Sequence, residues 1–534
     1  MECHCLRPAE LPHVTRLFAT FLDDFGPLAE FYVHPPTEEG ILTAAHEVRL
    51  DAGTRRLVVE VLREQNQRLG ADGTTSKSLD RLAAGAVAVV TGQQVGLFSG
   101  PSYSIYKALS AIRIARQLTE RGTDAVPVFW LATEDHDLAE INHCYWPGRS
   151  GLERMEVAAQ GFGRRVGEVR LGESMVPAVA RAQALLEGPS AEEAGRFLAE
   201  SYRPQETFGS AFGKLMARLF AERGIILLDP LDARLHRLVA PVYRRALEET
   251  TTLTGELLAR SRKLDRAGYH AQVKVTERST LLFLNVDGQR QPVRQRGEGF
   301  VAGRGSFSAA DLLDAIERTP EAFSANVLLR PVVQDALLPT AAYVGGPAEV
   351  AYFAQAEVVY RRLLGRMPAV VSRASFTLIE PHVARLLKKY ELELCDVLRG
   401  HQHLRNRLER RFLSKVLAKR FDAGEKTIRR LLAGLRQPLS KLDTTLLGAL
   451  DTTERKMLYQ FLRLRRKVGR AQNFRTGVLD AHERQLTEAL YPHHDLQERT
   501  VCFLPLLARH GPALLDELAE RAGIGVNQHQ VLFL

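Results

Sequence analysis

Glu134-Asp135-His136-Asp137 is the densest titratable cluster in the chain. Carboxylates grouped in this way can hold an amine or Mg2+, and an imidazole among them can move a proton. In extended backbone, Asp135 and Asp137 share one side and Glu134 and His136 the other. The alternative is a capped helix start, because acids ahead of a helix are favoured by its dipole alone. A second candidate comes earlier, in the polar loop Thr91-Gly92-Gln93-Gln94-Val95-Gly96. Before it runs the β-branched stretch Ala86-Val87-Ala88-Val89-Val90. After it, beyond Gly100, Pro101 suits the first position of a helix on which Ile105, Leu109, Ile112 and Leu118 keep helical spacing. Strand, glycine loop and helix together aim unpaired N–H groups at one point, and such a point holds phosphate or carboxylate. Taken alone, the same loop is equally a tight turn.

Two familiar phosphate motifs are excluded by spacing. Between Gly209 and Gly213-Lys214-Leu215 stand three residues where a P-loop has four, and leucine follows the lysine. Gly161, Gly163 and Gly167 miss the dinucleotide fingerprint at its last interval.

To bring the two candidates together, the chain needs a parallel sheet. The run Val126-Pro127-Val128-Phe129-Trp130-Leu131 leads straight into the acidic cluster. Two buried β runs separated by a helix make a βαβ crossover, whose ligands sit beyond the carboxyl ends of the strands. Ile225 to Leu228 supplies a third strand, Leu328 to Val333 resumes the core, and Ala369 to Val371 closes it. Tyr343-Val344-Gly345-Gly346-Pro347 introduces a helix bearing Glu349, Tyr352 and Gln355. The fold class is therefore α/β with a Rossmann-like parallel-sheet core. The segments divide as 1–147 (N-terminal helices and first half of the core), 148–205 (insertion), 206–270 (core), 271–325 (β-rich insertion) and 326–384 (core). An α-helical segment 385–485 and a return to the core, 486–534, complete the chain. Within the first segment, 41–66 reads as helix and 70–78 as a Gly/Thr/Ser loop. Ser308 to Asp311 marks a helix start in the β-rich insertion.

The segment 385–485 has its own character. Between Arg385 and Arg475 lie 24 Lys plus Arg against nine Asp plus Glu, so this stretch carries +15 and the rest −6 of the net +9. Ile428, Leu432, Leu435, Leu439, Leu442, Leu446 and Ala449 alternate in steps of four and three. Met457, Phe461, Leu464, Val468 and Ala471 repeat the pattern. Asp451-Thr-Thr-Glu454 reads as a capping box between two helices, which makes an antiparallel coiled-coil hairpin with arms about 30 Å long. Pro438 should bend the first arm. Arms this short are marginal alone, so a homodimer is expected. Lys and Arg on such a hairpin are the usual solvated faces, and with no aromatic interleaving nucleic acid is not the expected partner.

At 534 residues, 45% of them hydrophobic and 25% charged, the composition is that of an ordinary multi-domain protein without a membrane span or signal peptide, expected in the cytoplasm. Five scattered cysteines (3, 5, 144, 395 and 502) fit reduced thiols. Cys3-His4-Cys5 has no second ligand pair at finger spacing, so the expectation is a flexible N-terminus and no metal site.

Five strings, TGQQVGLFSGPSYSIYKALSAI (91–112), PVFWLATEDHDLAEINH (127–143), LRPVVQDALLPTAAYVGGPAEVAYFAQ (329–355), SRASFTLIE (372–380) and LQER (496–499), resemble the family of bacillithiol biosynthesis enzymes that add cysteine. The match runs in order along nearly the whole chain. The resemblance implies a class I synthetase-like core with two connecting-peptide insertions and a coiled-coil dimerisation domain. It implies joining the carboxyl of L-cysteine to the amine of glucosaminyl malate, with ATP as driver, Mg2+ as a possible companion, and either an adenylate or an acyl phosphate as the activated form. Class I enzymes carry two histidines after the first strand, and Phe98-Ser99-Gly100-Pro101 has none. The expected roles are then Gly92, Gln93 and Gln94 at the anion or sugar-acid site, with Tyr103 and Tyr106 lining it. Asp135, His136 and Asp137, with Glu134, would receive the amine. Glu349, Tyr352 and Gln355 would form the far wall. Gly100, Lys107, Arg373 and Ser375 would bind the nucleotide phosphates, and Gln497 and Arg499 would make a second nucleotide contact. Other readings are a related nucleotidyl-transfer enzyme acting on another acid, or a non-catalytic nucleotide- or RNA-binding dimeric scaffold.

Overall fold

The computed structural model describes residues 2–148, 151–412 and 415–534, so Arg149 and Ser150 of the first insertion and Leu413 and Ser414 of the helical segment lie outside the described residues. Five strands form a fully parallel sheet in the spatial order Ala369–Ser372, Thr340–Gly345, Val87–Gln93, Ala125–Leu131, Ile226–Leu228. Ala125–Leu131 is buried along its whole length, as a strand covered on both faces must be, and its apolar sequence follows from that. From Val87–Gln93 the chain builds two strands outward to one side, then returns to place Thr340–Gly345 on the other. This reversal opens a crevice beyond the carboxyl ends of the two neighbouring strands. Gly92, opposite Trp130 in the ladder, lets the strands close there. A Cβ at Gly92 would stand 3.0 Å from the Trp130 carbonyl oxygen.

The helix after the first strand is Tyr103–Glu120, two residues later than the proline rule suggested. Pro101 instead pairs with Cys502 in an isolated bridge, which ties the loop to the C-terminal segment. Two further expectations are corrected by capping chemistry. Residues 73–78 belong to the helix Gly73–Ala84, because Asp72 accepts the N–H groups of Thr74 and Thr75 at 3.1 and 3.0 Å and thereby starts it. Leu328 to Val333 is not a strand. Asn326 Oδ1 accepts from Leu328 and Leu329, the helix Arg330–Leu337 follows with Pro331 in its first turn, and the core resumes only at Thr340.

Residues 279–325 build an antiparallel sheet in the order Gly305–Phe307, Gly299–Ala302, Gln289–Arg296, Ser279–Val286, Phe323–Ala325. The helix Ala309–Arg318 between its last strands is opened by the Ser308–Asp311 capping box. The hairpin His143–Gly148 with Gly151–Glu156 begins before the expected bound of the first insertion and leads into its helices Met175–Ala184 and Ala191–Ser201. The N-terminus is not loose. Glu2–Leu6, holding Cys3-His4-Cys5, lies antiparallel to His529–Phe533, which pairs in parallel with Ser375–Ile379. Among the described residues no three His, Cys, Asp or Glu side chains gather as a metal site.

The basic segment forms a long hairpin of Lys415–Leu442 and Leu446–Thr476. Ion pairs Arg465–Asp422, Arg429–Glu454 and Arg436–Asp451 (2.8, 3.3 and 2.8 Å) match rising numbers on one arm with falling numbers on the other, so the arms are antiparallel. The turn is at Asp443-Thr444-Thr445, where Asp443 Oδ1 accepts from Thr445 N at 2.8 Å, and not at Asp451–Glu454. Both sites carry Asp-Thr-Thr. At the second, the threonine hydroxyls donate back to the Gly448 and Ala449 carbonyls within the helix. Pro438 lies within the first arm. Leu432, Leu450 and Leu458 are buried, whereas Leu435, Leu442, Met457 and Leu464 are exposed. No helix among the described residues is long and apolar enough to cross a membrane.

Candidate active site

The crevice at the strand reversal is a cleft of about 830 Å³. Its floor is the glutamine loop. One wall is the acidic loop after Ala125–Leu131, and the opposite wall is the start of the helix Pro347–Leu363. The β-rich insertion contributes Gln272 to Lys274, Phe283 and Arg290 to the rim. The two stretches singled out for chemistry meet directly, since Gln94 Nε2 donates to Asp135 Oδ2 and to Glu140 Oε2, each at 2.8 Å.

Lys107 is the hub of the floor. Its ammonium, on a residue 3% exposed, donates to the Gly92 carbonyl and to Gln93 Oε1, each at 2.8 Å, and pairs with Glu349. Its three donors are thereby used. Glu349 also accepts from Tyr343 OH at 2.5 Å and from Gly346 N at 2.7 Å. Burial works to raise the Glu349 pKa, but Lys107, the Gly346 N–H and the Tyr343 hydroxyl outweigh it and hold the carboxyl below its usual range. Gln93 Nε2 in turn donates to Tyr103 OH at 3.0 Å. Burial pushes the Tyr103 phenol up to about 12, so it stays a neutral donor.

Arg373 is 5% exposed and pairs with Glu498 at 2.7 Å, its other terminal nitrogen donating to the Ala374 carbonyl. It stands over the Tyr103 ring. Arg499 and Tyr352 line the same cleft. Arg499 is half-exposed and pairs with Asp495 at 3.0 Å.

In the acidic loop, residues 134–137 are turn and irregular backbone rather than extended, so the expected alternation of sides does not arise. Asp135 faces the cleft. Burial acts to raise its pKa, and hydrogen bonds from His136 and Gln94 more than reverse this, holding it well below the usual carboxylate range. His136 Nδ1 accepts from Arg290 at 3.1 Å beside the Phe283 ring. Asp137 caps the short helix Leu138–Ile141 by accepting from Glu140 N, the structural alternative raised for such acids.

Neither His136 nor Asp137, both expected to be catalytic, lines the cleft, and five further expected site residues lie elsewhere. Tyr106 is fully buried, its ring packed edge-on against Phe376 and Phe503 in the core rather than turned to the cleft. Gln355 is fully buried, and its amide both donates to and accepts from the Val273 backbone. Gly100, at φ +64°, turns the chain toward Pro101 and does not line the cleft. Ser375 bonds Glu498 and His529 at a smaller adjoining cavity, and Gln497 bonds the Leu378 backbone as a lateral partner would.

Sequence reasoning missed two arginines of the cleft. Arg330 lies over Trp130 and Tyr343 and donates to the hydroxyls of Tyr343 and Tyr352 and to Gln334. Arg290 stacks on Phe283 at 3.8 Å and donates to Ser324 Oγ, the Ala325 carbonyl and His136. Each uses three of five N–H donors and keeps two for a ligand. The Pro331 helix-start signal could have placed Arg330 at a cleft-facing helix end. Nothing local distinguishes Arg290.

Comparison with known proteins gives two family matches that together span almost the whole chain. Residues 1–374 match the N-terminal Rossmann-like domain of bacillithiol biosynthesis BshC, and residues 376–534 match its C-terminal coiled-coil domain. The chain is 43% identical over 99% of both chains to a protein of Koribacter versatilis named "Putative cysteine ligase BshC". Proteins of the same name from Solibacter usitatus and Salinibacter ruber are 40% and 33% identical, each over at least 98% of both chains.

Proposed function

The chain belongs to the BshC family of bacillithiol biosynthesis, and from that premise we propose that it is a cysteine ligase joining the carboxyl of L-cysteine to the amine of glucosaminyl malate, driven by ATP. The observation that carries this reading is the cleft at the strand reversal, where carboxylate and guanidinium groups face one another within about 830 Å³. An amino sugar linked to a dicarboxylate offers complementary charges. The free N–H donors of Arg290 and Arg330 suit the malate carboxylates, and the acidic loop suits the amine.

Amide formation from a free carboxylate needs a leaving group on the cysteine carbonyl carbon. A nucleoside triphosphate supplies one, as adenylate or as acyl phosphate. The buried Lys107 and Arg373 are committed to Glu349 and Glu498, so direct phosphate contacts fall to the exposed side chains of Arg499 and Lys274 on the rim. An Mg2+ would enter with the phosphates and take at most a carboxylate from the loop. The test is incubation with ATP, L-cysteine and glucosaminyl malate. Bacillithiol should form by mass spectrometry, and the nucleotide product, ADP or AMP, identifies the activated species. A folded sample yielding no bacillithiol with any nucleotide and metal combination overturns the reading.

We also propose that the chain works as a homodimer through the hairpin, whose exposed Leu435, Leu442, Met457 and Leu464 would find cover on a second copy. Light scattering should give twice the chain mass, and Leu435→Lys with Leu464→Lys should halve it. A wild-type monomer at micromolar concentration overturns this.

A further inference from the structure

One carboxyl of the cleft has an oxygen that accepts no hydrogen bond among the described residues. Glu134 lines the cleft but is only 7% exposed, and its Oε1 makes no hydrogen bond. That oxygen stands 3.5 Å from Nε2 of His236, on the helix Ala233–Glu248. His236 is 2% exposed, and its ring lies near the Pro230 and Pro320 backbone without closing a hydrogen bond to Glu134. None of the neighbouring cations, among the described residues, donates to that oxygen. Arg165 donates to the Glu321 carbonyl at 2.6 Å, and Arg290 serves Ser324, Ala325 and His136. Asp229, the nearby acid, accepts from Thr133. A buried carboxylate oxygen left without a hydrogen bond at the inner end of a cleft calls for an explanation.

We propose that Glu134 is the proton acceptor for the attacking amine, with His236 a positioning residue that holds its carboxyl toward the cleft. This rests on the cysteine-ligase reading. The amine nitrogen forms a bond to the cysteine carbonyl carbon, and the C–O bond to the phosphoryl or adenylyl leaving group breaks, its electron pair leaving on that oxygen. The proton shed by the nitrogen passes to the Glu134 carboxylate and from there to cleft water. The groups facing Glu134 suit the task. Burial raises its pKa to about 7, with Asp229 adding and Arg165, Arg290 and Arg330 opposing. Burial, with Arg165, lowers His236 to about 4, so the imidazole is neutral and does not compete for the proton. Tyr243, from the same helix as His236, is driven by burial to a higher pKa and stays neutral as well. A carboxyl poised near neutrality is an efficient general base.

Two measurements test this. Infrared titration of the folded protein should show a carboxylic-acid band with a midpoint at about pH 7 that Glu134→Gln removes; its absence from the wild type overturns the assignment. In single turnovers, Glu134→Gln should slow amide formation by about 10²-fold or more while cysteine-dependent ATP cleavage stays within about twofold, and Glu134→Asp should recover part of the loss. His236→Asn should move the midpoint of the kcat/KM pH profile by about half a unit or more, which a merely structural residue would not do. Amide formation by Glu134→Gln at the wild-type rate, or equal loss of both half-reactions, overturns the acceptor role alone. No amide from the folded wild type overturns the ligase reading and the acceptor role with it.

Discussion

Glu349→Ala should destabilise the protein by about 3–5 kcal/mol, the range for stranding one member of a buried ion pair. Lys107 would be left with only the Gly92 carbonyl and Gln93 Oε1 as partners, at a residue 3% exposed whose pKa burial already lowers. The same substitution removes the acceptor of Tyr343 OH and the cap of the Gly346 N–H, so the floor and the far wall lose their common anchor. Lys107→Met should cost a similar amount. The double variant Lys107→Met/Glu349→Leu should lose clearly less than the two single losses combined, because no charge is left unpaired. Denaturant titration of the four proteins measures the coupling, and strict additivity would contradict the hub assigned to Lys107. The sign with pH follows from the depressed Glu349 carboxyl. Its contribution is complete above the unfolded-state value of about 4.3 and is lost as pH falls through the lower folded value. Wild type and Glu349→Gln should therefore converge in stability under acid.

Asp135→Ala should lower kcat/KM by about 10²-fold with little change in fold stability, since Asp135 sits on a loop and its main partner is another cleft residue. Without the carboxylate, Gln94 Nε2 keeps only Glu140, and the glutamine loop is no longer tied to the acidic loop. Gln94→Ala should produce a similar defect, and the double variant should be hardly worse than either single one. Full additivity in kcat/KM would separate the two residues. Because hydrogen bonding holds Asp135 ionised well below neutrality, it contributes no inflection to the activity profile between about pH 5 and 8. Any such inflection belongs to another group.

The strands carrying the cleft were readable because β-branched runs buried on both faces leave a plain mark, and the crossover rule then placed the glutamine loop beside the acidic loop. Local capping was read less well. Asp72 outweighed the Gly-Thr-Thr-Ser composition after it, and of two equal Asp-Thr-Thr signals in the basic hairpin only Asp443 makes the turn. The N-terminal strand escaped notice because its partner, His529–Phe533, lies at the other end of the chain. Within the site the same distinction holds. Residues on the loops themselves could be named, whereas the direction in which a helix turns its side chains could not, hence Tyr106 in the core. Arg290 reaches the cleft from a hairpin, and His236 approaches Glu134 from a buried helix, and neither sequence holds a local sign of it.

Gln355, removed from the cleft wall by its burial, has a consequence for the opening of the cleft. Its amide meets both main-chain groups of Val273 much as an adjoining strand would, yet it does so at a single residue. The rim segment Gln272 to Lys274 is thus pinned at one point rather than seamed along an edge. Giving up those two hydrogen bonds would leave every ladder of the molecule intact, but Val273 would still have to leave its packing against the core.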